Sequence, residues 1–267
     1  MKHVVKNLFL LSCLACLLTR PISLKAASEA LPDPVVLIKA SSDAISLTAA
    51  DMEATLSIYD AKGNVRTRRI QQASRVLDGV TKTRLTFLSP ADVAGTTLLI
   101  YDYPDKDDDM WIYLPALRNT RRIVSRDKGQ SFMGSAFSNA DLSKPALGDY
   151  THVLTGAETL DGKDCWVVTS TCKTTAIAQS QGFAVKKAWI DKKTKLTQQL
   201  VFLNTAGQQT KILTLSDYKQ LEDGTFMACR LEAKTLSNKR RSVLTVDALR
   251  HGSTLPASHF SSLSLDK

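Results

Sequence analysis

Residues 107–142, DDDMWIYLPALRNTRRIVSRDKGQSFMGSAFSNADL, carry the most specific pattern in the sequence. The stretch places an acidic lip, an aromatic strand, a proline, a run of arginines and a glycine-containing apolar loop within 36 residues. In residues 110–114, MWIYL, bulky side chains alternate in the period-2 pattern of a strand that is apolar on both faces. We therefore expect both faces to be covered, one by a core and the other by a cavity.

Pro115 follows this strand and has no N–H to donate to a neighbouring strand, so the strand is expected to end there. Further along, Phe132, Met133 and Gly134 place an aromatic ring and a flexible thioether beside a residue that readily adopts positive φ. This combination favours an apolar flap. Residue types alone favour the alternative, an ordinary loop packed over a sheet.

The runs DDDMWIYLPALRNTRRI and SFMGSAFSNADL, with LTFLSPADVAGTTLLIY at 85–101, resemble the signature of the outer-membrane lipoprotein-sorting protein family, a branch of the LolA-type periplasmic carriers. LPASHF at 255–260 resembles it more loosely. The resemblance implies a mainly β protein with a few helices. Its fold would be a curved antiparallel half-barrel, LolA/LolB-like, with a helical lid over an apolar cavity for acyl chains.

The resemblance also implies which side chains line that cavity. The candidate ligand-binding residues are Leu85, Phe87, Leu98, Ile100, Trp111, Tyr113, Phe132, Met133 and Phe137. The alternative is that these side chains fill a core, and which alternate face of each strand points inward stays open. A second candidate set, for contact with an anionic headgroup or a partner, consists of Arg118, Arg121, Arg122 and Arg126. The alternative for the arginines is a solvated face.

The first 26 residues have the order of a secretory signal peptide: early lysines, an apolar run at 8–18, and small residues near Ala26 where cleavage is expected. This order predicts export to the periplasm, leaving residues 27–267 as one LolA-like β domain. Cys13 and Cys16 leave open an acylated N-terminus that would anchor the protein to a membrane.

The charge balance is mildly basic and does not indicate a nucleic-acid-binding protein. The whole chain has 35 Lys and Arg against 26 Asp and Glu, a net charge of +9. Removing the signal peptide takes away four basic residues and no acidic one, which leaves about +5. About 240 residues suffice for one β domain with a substantial core, and we expect a monomer.

Three cysteines remain after the signal peptide, Cys165, Cys172 and Cys229. Cys165 and Cys172 bracket one expected strand and are too far apart to bridge if that strand is straight. Cys229 could pair with either of them in an oxidising compartment. Three buried thiols packed as small apolar side chains are the alternative.

The remaining pattern predicts one helix followed by an antiparallel sheet. Asp33 and Pro34 suit the N-cap and first position of a helix reaching about residue 46. Strands are expected at 55–59, 64–73, 82–88, 96–101, 110–114, 150–156, 164–171, 184–191, 197–203, 211–218, 226–235 and 241–249, with a short helix at 138–142. The turns between strands are too short for crossover helices, and so large an antiparallel sheet tends to curl.

No catalytic residue, metal site or cofactor is expected. The aspartates at 105–109 lack the glycine and glutamate positions of an EF-hand loop, and they suit a solvated hairpin turn. The histidines stand singly, without the spacing of zinc ligands. The sequence around Ser131 lacks the second glycine of a nucleophile elbow.

The first functional hypothesis is a non-enzymatic periplasmic carrier of lipid or lipidated protein, with the loop 132–137 and the Pro34 helix as lids. The alternative is an accessory protein that docks on an envelope lipid transporter of the RND type and keeps a filled core. The second hypothesis rests on analogy with the family, whose members accompany such transporters.

Overall fold

The computed structural model describes residues 31–45, 49–103, 106–143, 146–253 and 255–265. The predicted signal peptide, with Cys13 and Cys16, lies outside the described residues. Helix α1 spans Pro34–Ala44, and the Asp33 carboxylate accepts hydrogen bonds from the backbone N–H groups of Val35 and Val36 at 2.8 and 3.0 Å. The expected helix therefore forms from its predicted N-cap, and its last helical residue precedes the predicted end by two positions.

Thirteen strands within the described residues form one antiparallel sheet. They are β1 Ala49–Tyr59, β2 Val65–Leu77, β3 Val80–Ser89, β4 Thr97–Asp102, β5 Asp109–Leu114, β6 Asn119–Ile123, β7 Tyr150–Leu160, β8 Lys163–Cys172, β9 Val185–Asp191, β10 Thr197–Leu203, β11 Gln209–Gln220, β12 Phe226–Thr235 and β13 Arg241–His251. The sheet is curved and not closed. The predicted mainly β, antiparallel fold is confirmed.

Two meanders meet in the middle of this sheet. The strand order is β6-β5-β4-β3-β2-β1-β13-β12-β11-β10-β9-β8-β7, so β6 and β7 are its edges. The junction is the pairing of β1 with β13, which joins Ala50 to His251 at one end and Tyr59 to Arg241 at the other. Every other neighbour pair is consecutive in sequence, as expected for strands linked by short turns.

Asp-Gly turns set the register of two hairpins. Asp78 and Gly79 link β2 to β3 with φ values of 54° and 75°, and Asp161 and Gly162 link β7 to β8 with 48° and 76°. Two consecutive left-handed residues match the right-handed twist of paired strands, and both turns occur at predicted positions.

Two elements were not predicted. Strand β6 coincides with the run of arginines after Pro115, which we interpreted only as a charged surface. Helix α2, Thr175–Gln181, is capped by the Thr174 hydroxyl and ends at Gly182 in the left-handed conformation. The predicted short helix at 138–142 is present as a 3-10 turn, Asn139–Leu142.

One face of the sheet carries the main apolar cluster, and we call it the inner face. Directly paired residues have side chains on the same face, so the pairs Ile70–Phe87, Leu85–Leu98 and Leu98–Ile112 trace this face across β2 to β5. These side chains are 1–6 % exposed. Each buried side chain of this size contributes about 1.5–3 kcal/mol to folding, so this face provides most of the stability.

Helix α1 and the segment between β6 and β7 cover the inner face. Leu37 of α1 packs with Val168, Ala188 and Ile190 on β8 and β9. Ser41 anchors the same helix through a buried contact of 2.7 Å between its hydroxyl and that of Thr197. Neither described helix is long and apolar enough to span a membrane.

Candidate functional site

Residues 131–138 form a compact loop over the inner face, and we call it the flap. Its ends are joined by a bridge between Ser131 and Ser138, and the Phe132 N–H donates to the Phe137 carbonyl at 2.8 Å. Met133 and Gly134 both adopt positive φ, 48° and 74°, which turns the chain sharply between the two aromatic residues. The predicted apolar flap is therefore a closed local loop.

The flap inserts its apolar side chains into the cluster on the inner face. Phe132, Ala136 and Phe137 are 3, 3 and 6 % exposed, and Met133 packs against the same cluster. The Phe132 ring lies 5.8 Å from the Phe87 ring, centroid to centroid. The flap thus completes the core with its own side chains.

Few polar bonds attach the flap to the sheet. The Arg68 guanidinium on β2 donates to the Met133 carbonyl at 2.5 Å, and the Ala136 N–H donates to the Ser242 hydroxyl on β13 at 2.9 Å. Arg68 is 9 % exposed, and burial lowers the pKa of its guanidinium, an effect strengthened by Arg66 and opposed by Asp92. Arg68 therefore links the flap to the sheet through this hydrogen bond.

A buried ion pair fixes the chain just after the flap. The Lys211 ammonium on β11 lies 2.6 and 2.8 Å from the two carboxylate oxygens of Asp141 and 3.2 Å from the Ser138 hydroxyl. The two charged side chains are 12 and 7 % exposed. The same ammonium lies 4.1 Å above the centre of the Phe202 ring.

The nine candidate apolar residues divide between the two faces of the sheet. Six belong to the buried cluster of the inner face: Leu85, Phe87, Leu98, Ile100, Phe132 and Phe137. Met133 packs against that cluster. Trp111 and Tyr113 lie on the opposite, outer face, because Met110 and Ile112 of the same strand take the inner positions. The role of these residues as ligand contacts stays a prediction.

The C-terminal segment, residues 255–265, covers the outer face at Arg84 and Tyr101. The Trp111 ring contacts the Tyr101 ring edge to face at 4.9 Å, and the Tyr101 hydroxyl donates to the Phe260 carbonyl at 2.6 Å. Arg84 donates to the His259 carbonyl at 3.0 Å. Phe260 is fully buried, so this segment covers the outer face of β3 and β4.

The four candidate arginines are all exposed. Arg118 occupies a left-handed position in the turn between β5 and β6, Arg121 and Arg122 lie on edge strand β6, and Arg126 lies in the following 3-10 turn. Arg122 pairs with Asp109 across the β5–β6 ladder. Their contact with a headgroup or partner stays a prediction.

A polar cavity of about 710 Å³ lies at one end of the inner face, beside the apolar cluster. It is lined by α1, the β2–β3 turn, the loop before β5 and the 3-10 turns at 139–149. Its walls include five aspartates and three lysines. Two of the aspartates, Asp107 and Asp108, belong to the acidic stretch interpreted from sequence as a solvated turn.

Close backbone packing fixes the chain at Gly129, next to Lys128 of the cavity. The Gly129 N–H donates to the Ser180 carbonyl of α2 at 2.7 Å. A Cβ atom at Gly129 would lie 2.7 Å from the backbone nitrogen of Gly182, so only glycine fits this close approach.

Cys165, Cys172 and Cys229 are free thiols in this structure. Burial raises the pKa of each thiol. Of the two alternatives drawn from the sequence, the packed thiols are the one observed. In the described part of the chain, no group of three His, Cys, Asp or Glu side chains is placed to bind a metal ion.

Two residues of the candidate site were missed from the sequence. Arg68 is in phase with Ile70 along β2, so an arginine at an inward position was a readable signal. Lys128 lines the polar cavity and is 7 % exposed, although it lies in a charged turn that looked solvated. Its burial depends on contacts with residues far along the chain.

Comparisons with known proteins support the same fold. A family model described as "Uncharacterized protein" matches residues 79–267. A structure described as an outer membrane lipoprotein-sorting protein domain from Vibrio parahaemolyticus is 25% identical with a TM-score of 0.80, covering 88% of this chain and 98% of that one. A DUF1329 family protein from Desulfovibrio piger is 27% identical with a TM-score of 0.79, covering 88% and 100%.

A LolA superfamily protein from Nitrosomonas europaea, 16% identical over 87% of this chain and 99% of that one, has a TM-score of 0.67 and shares the fold. No curated protein matches the sequence. The resemblance to lipoprotein-sorting proteins and to the LolA superfamily, read first from residues 85–142, is therefore confirmed. The chain belongs to the family whose model matches residues 79–267, and its fold is that of the LolA superfamily.

Proposed function

We propose that this protein is a non-enzymatic periplasmic carrier that binds the acyl chains of a lipid or a lipidated protein on the inner face of its sheet. The flap carries this proposal. Its aromatic side chains complete the apolar cluster, yet few side chains, Arg68, Lys211 and Ser242, provide the hydrogen bonds that attach it to the sheet. An acyl chain can take the place of the flap without breaking any hydrogen bond between strands.

The energies of the two competing states are of similar size. Burying an acyl chain contributes about 0.8 kcal/mol per methylene, or about 8 kcal/mol for ten. Exposing Phe132 and Phe137, both nearly fully buried, costs about 3–6 kcal/mol. Breaking the hydrogen bond from Arg68 costs about 1.5–3 kcal/mol more, so the two states lie close in energy and an acyl chain can displace a flap that closes again after release.

The lipoprotein-sorting domain from Vibrio parahaemolyticus supports this assignment, because it shares the fold over almost its whole length. On this proposal residues 1–26 are a cleaved signal peptide, residues 27–267 act in the periplasm as one domain, and the cargo is destined for outer-membrane sorting or lipid transport. The exposed arginines of β6 and its flanking turns would then meet anionic headgroups.

Two measurements test the proposal. Mass spectrometry of organic extracts from the purified protein should detect stoichiometric acyl species. Titration with a fluorescent fatty-acid probe should then show that Phe132→Ala, which empties part of the inner face, binds the probe more tightly. Phe260→Ala is the matched control, because Phe260 is fully buried in the segment that covers the outer face and its loss should leave probe affinity unchanged.

The opposite results would refute the carrier. A protein that carries no lipid, binds no probe and gains no affinity on flap truncation has a permanently filled core. That outcome would favour the docking partner of an RND-type transporter, whose interaction should then survive a detergent wash after crosslinking.

A further inference from the structure

The polar cavity is lined by a lysine that forms no ion pair among the described residues. Lys128 lines the cavity and is only 7 % exposed. Among the described residues no carboxylate lies within ion-pair distance of its ammonium, and no hydrogen bond from it is formed. Lysines this little exposed are usually paired, so the Lys128 ammonium is available to a ligand in the cavity.

The position of Lys128 is imposed by its backbone. Its carbonyl accepts a hydrogen bond from the Ala140 N–H at 2.7 Å. The residues on either side are held as well, since the Asp127 carbonyl accepts from the Asn139 side chain at 3.0 Å and the Gly129 N–H bonds to the Ser180 carbonyl. The fold thus holds the lysine in place without help from an opposite charge.

A carboxylate faces the same cavity. Asp108 is half-buried, and burial raises the pKa of its carboxyl, while a hydrogen bond with Ser143 and the positive charge of Lys128 oppose that rise. The charge of Lys128 affects the pKa of Asp108, but the two groups do not form an ion pair. They therefore flank a space between opposite charges.

The other two lysines of the cavity are already engaged. Lys39 bonds to Asp43 one helical turn away at 2.5 Å, and both are exposed. The Lys106 ammonium lies 3.8 Å above the Tyr103 ring. Lys128 is thus the cavity lysine without a partner among the described residues, and Asp108 is a carboxylate that its charge reaches.

Strand register places the cavity directly beside the apolar cluster. Thr81, which lines the cavity, pairs with Asp102 across β3 and β4. Two residues further along, Thr83 pairs with Ile100, and Ile100 pairs with Met110, both in the cluster. A ligand with its polar end in the cavity can therefore lay an apolar tail along the inner face.

We propose that this cavity binds the zwitterionic headgroup of a phospholipid, with the phosphate on Lys128 and the headgroup ammonium on Asp108. The inference rests on the proposed carrier function and names the class of its cargo. A purely anionic headgroup would meet the aspartates, and a purely cationic group would meet Lys128. A volume of about 710 Å³ is within the usual range for small-molecule sites.

Calorimetry with soluble short-chain lipids tests the assignment. The purified protein should bind dihexanoyl phosphatidylethanolamine at least tenfold more tightly than dihexanoyl phosphatidylglycerol. Lys128→Met should lower the first affinity at least tenfold, and Asp108→Asn should remove the preference between the two lipids. Lys62→Met is the matched control, because Lys62 is exposed in the turn between β1 and β2, outside the cavity lining, and it should preserve both affinities.

A folding readout accompanies the binding data. Because Lys128 forms no ion pair among the described residues, Lys128→Met should keep the β-rich circular dichroism and raise the Tm by about 2–4 °C. A lowered Tm would instead show that the lysine has a structural partner and would overturn the inference.

The outcomes separate the headgroup site from the carrier function. Equal affinity for the two lipids, together with tight fatty-acid probe binding, would overturn the headgroup site and leave the carrier intact. Free phosphoethanolamine, a third ligand, should bind at least tenfold more weakly than the lipid. If free phosphoethanolamine binds as tightly as the lipid, the ligand of the cavity is not a lipid. If, in addition, no acyl probe binds, the carrier function is refuted as well.

Discussion

The buried pair of Lys211 and Asp141 offers the sharpest test of how the flap region is held. Replacing Lys211 with Met leaves the Asp141 carboxylate, 7 % exposed, with the Ser138 N–H at 2.7 Å as its remaining strong donor. Breaking a buried ion pair at one partner costs about 3–5 kcal/mol, and we expect the lower end because that hydrogen bond survives. The free energy of unfolding should therefore fall by about 3 kcal/mol.

The double variant separates the ion pair from mere packing. Lys211→Met combined with Asp141→Asn removes both charges and keeps an acceptor for the Ser138 N–H, so it should lose only about 1 kcal/mol. Urea unfolding followed by circular dichroism measures all three variants, with an unchanged m-value as the sign that only stability has moved. A double variant as unstable as the sum of the two singles would refute the reasoning.

Further predictions concern pH and the flap. The hydrogen bond from Arg241 lowers the pKa of Glu232 to about 2, below its ordinary value near 4.5, so this pair contributes stability above pH 4.5 that is lost as the pH falls toward 2. Glu232→Gln should remove at most about 3 kcal/mol of acid dependence in unfolding titrations, and an unchanged profile would contradict it. Arg68→Met should speed hydrogen exchange of the flap amides about 10–100-fold by removing a charged hydrogen bond of about 1.5–3 kcal/mol. Arg69 is exposed beside Glu53, so Arg69→Met should leave hydrogen exchange of the flap unchanged. Equal effects of the two variants would exclude a specific role of Arg68 in holding the flap.

Most strands were predictable because period-2 patterning and Asp-Gly turns are local signals. Strand β6 lacks such a signal: in NTRRI only Ile123 is apolar and buried, since the strand is an edge. What makes it a strand is pairing with β5, including the contact of Arg122 with Asp109. Helix α2 spans only seven residues, although Thr174 and Gly182 marked its ends.

The site was predictable only where it is local. The flap could be located from Phe132, Met133 and Gly134 as neighbours in sequence. The position of the C-terminal segment on the outer face could not be located in this way, because the contact joins Tyr101 to Phe260, 159 residues later. Burial of Lys128 likewise arises from the close approach of the chain at Gly129 to α2. Alternation shows that a strand has two faces, but tertiary contacts decide what covers each.

The pairing of β1 with β13 determines when this chain can fold. Ala50 needs His251 as its partner, so the sheet stays in two halves until nearly the whole chain is available. Contacts this distant in sequence slow folding, typically into the range of milliseconds to seconds. When the chain becomes available from the N-terminus onward, β1 therefore stays unpaired on one side until β13 is also available. Loss of β13 would expose the edges of β1 and β12 together, turning a truncated product into an aggregation-prone one.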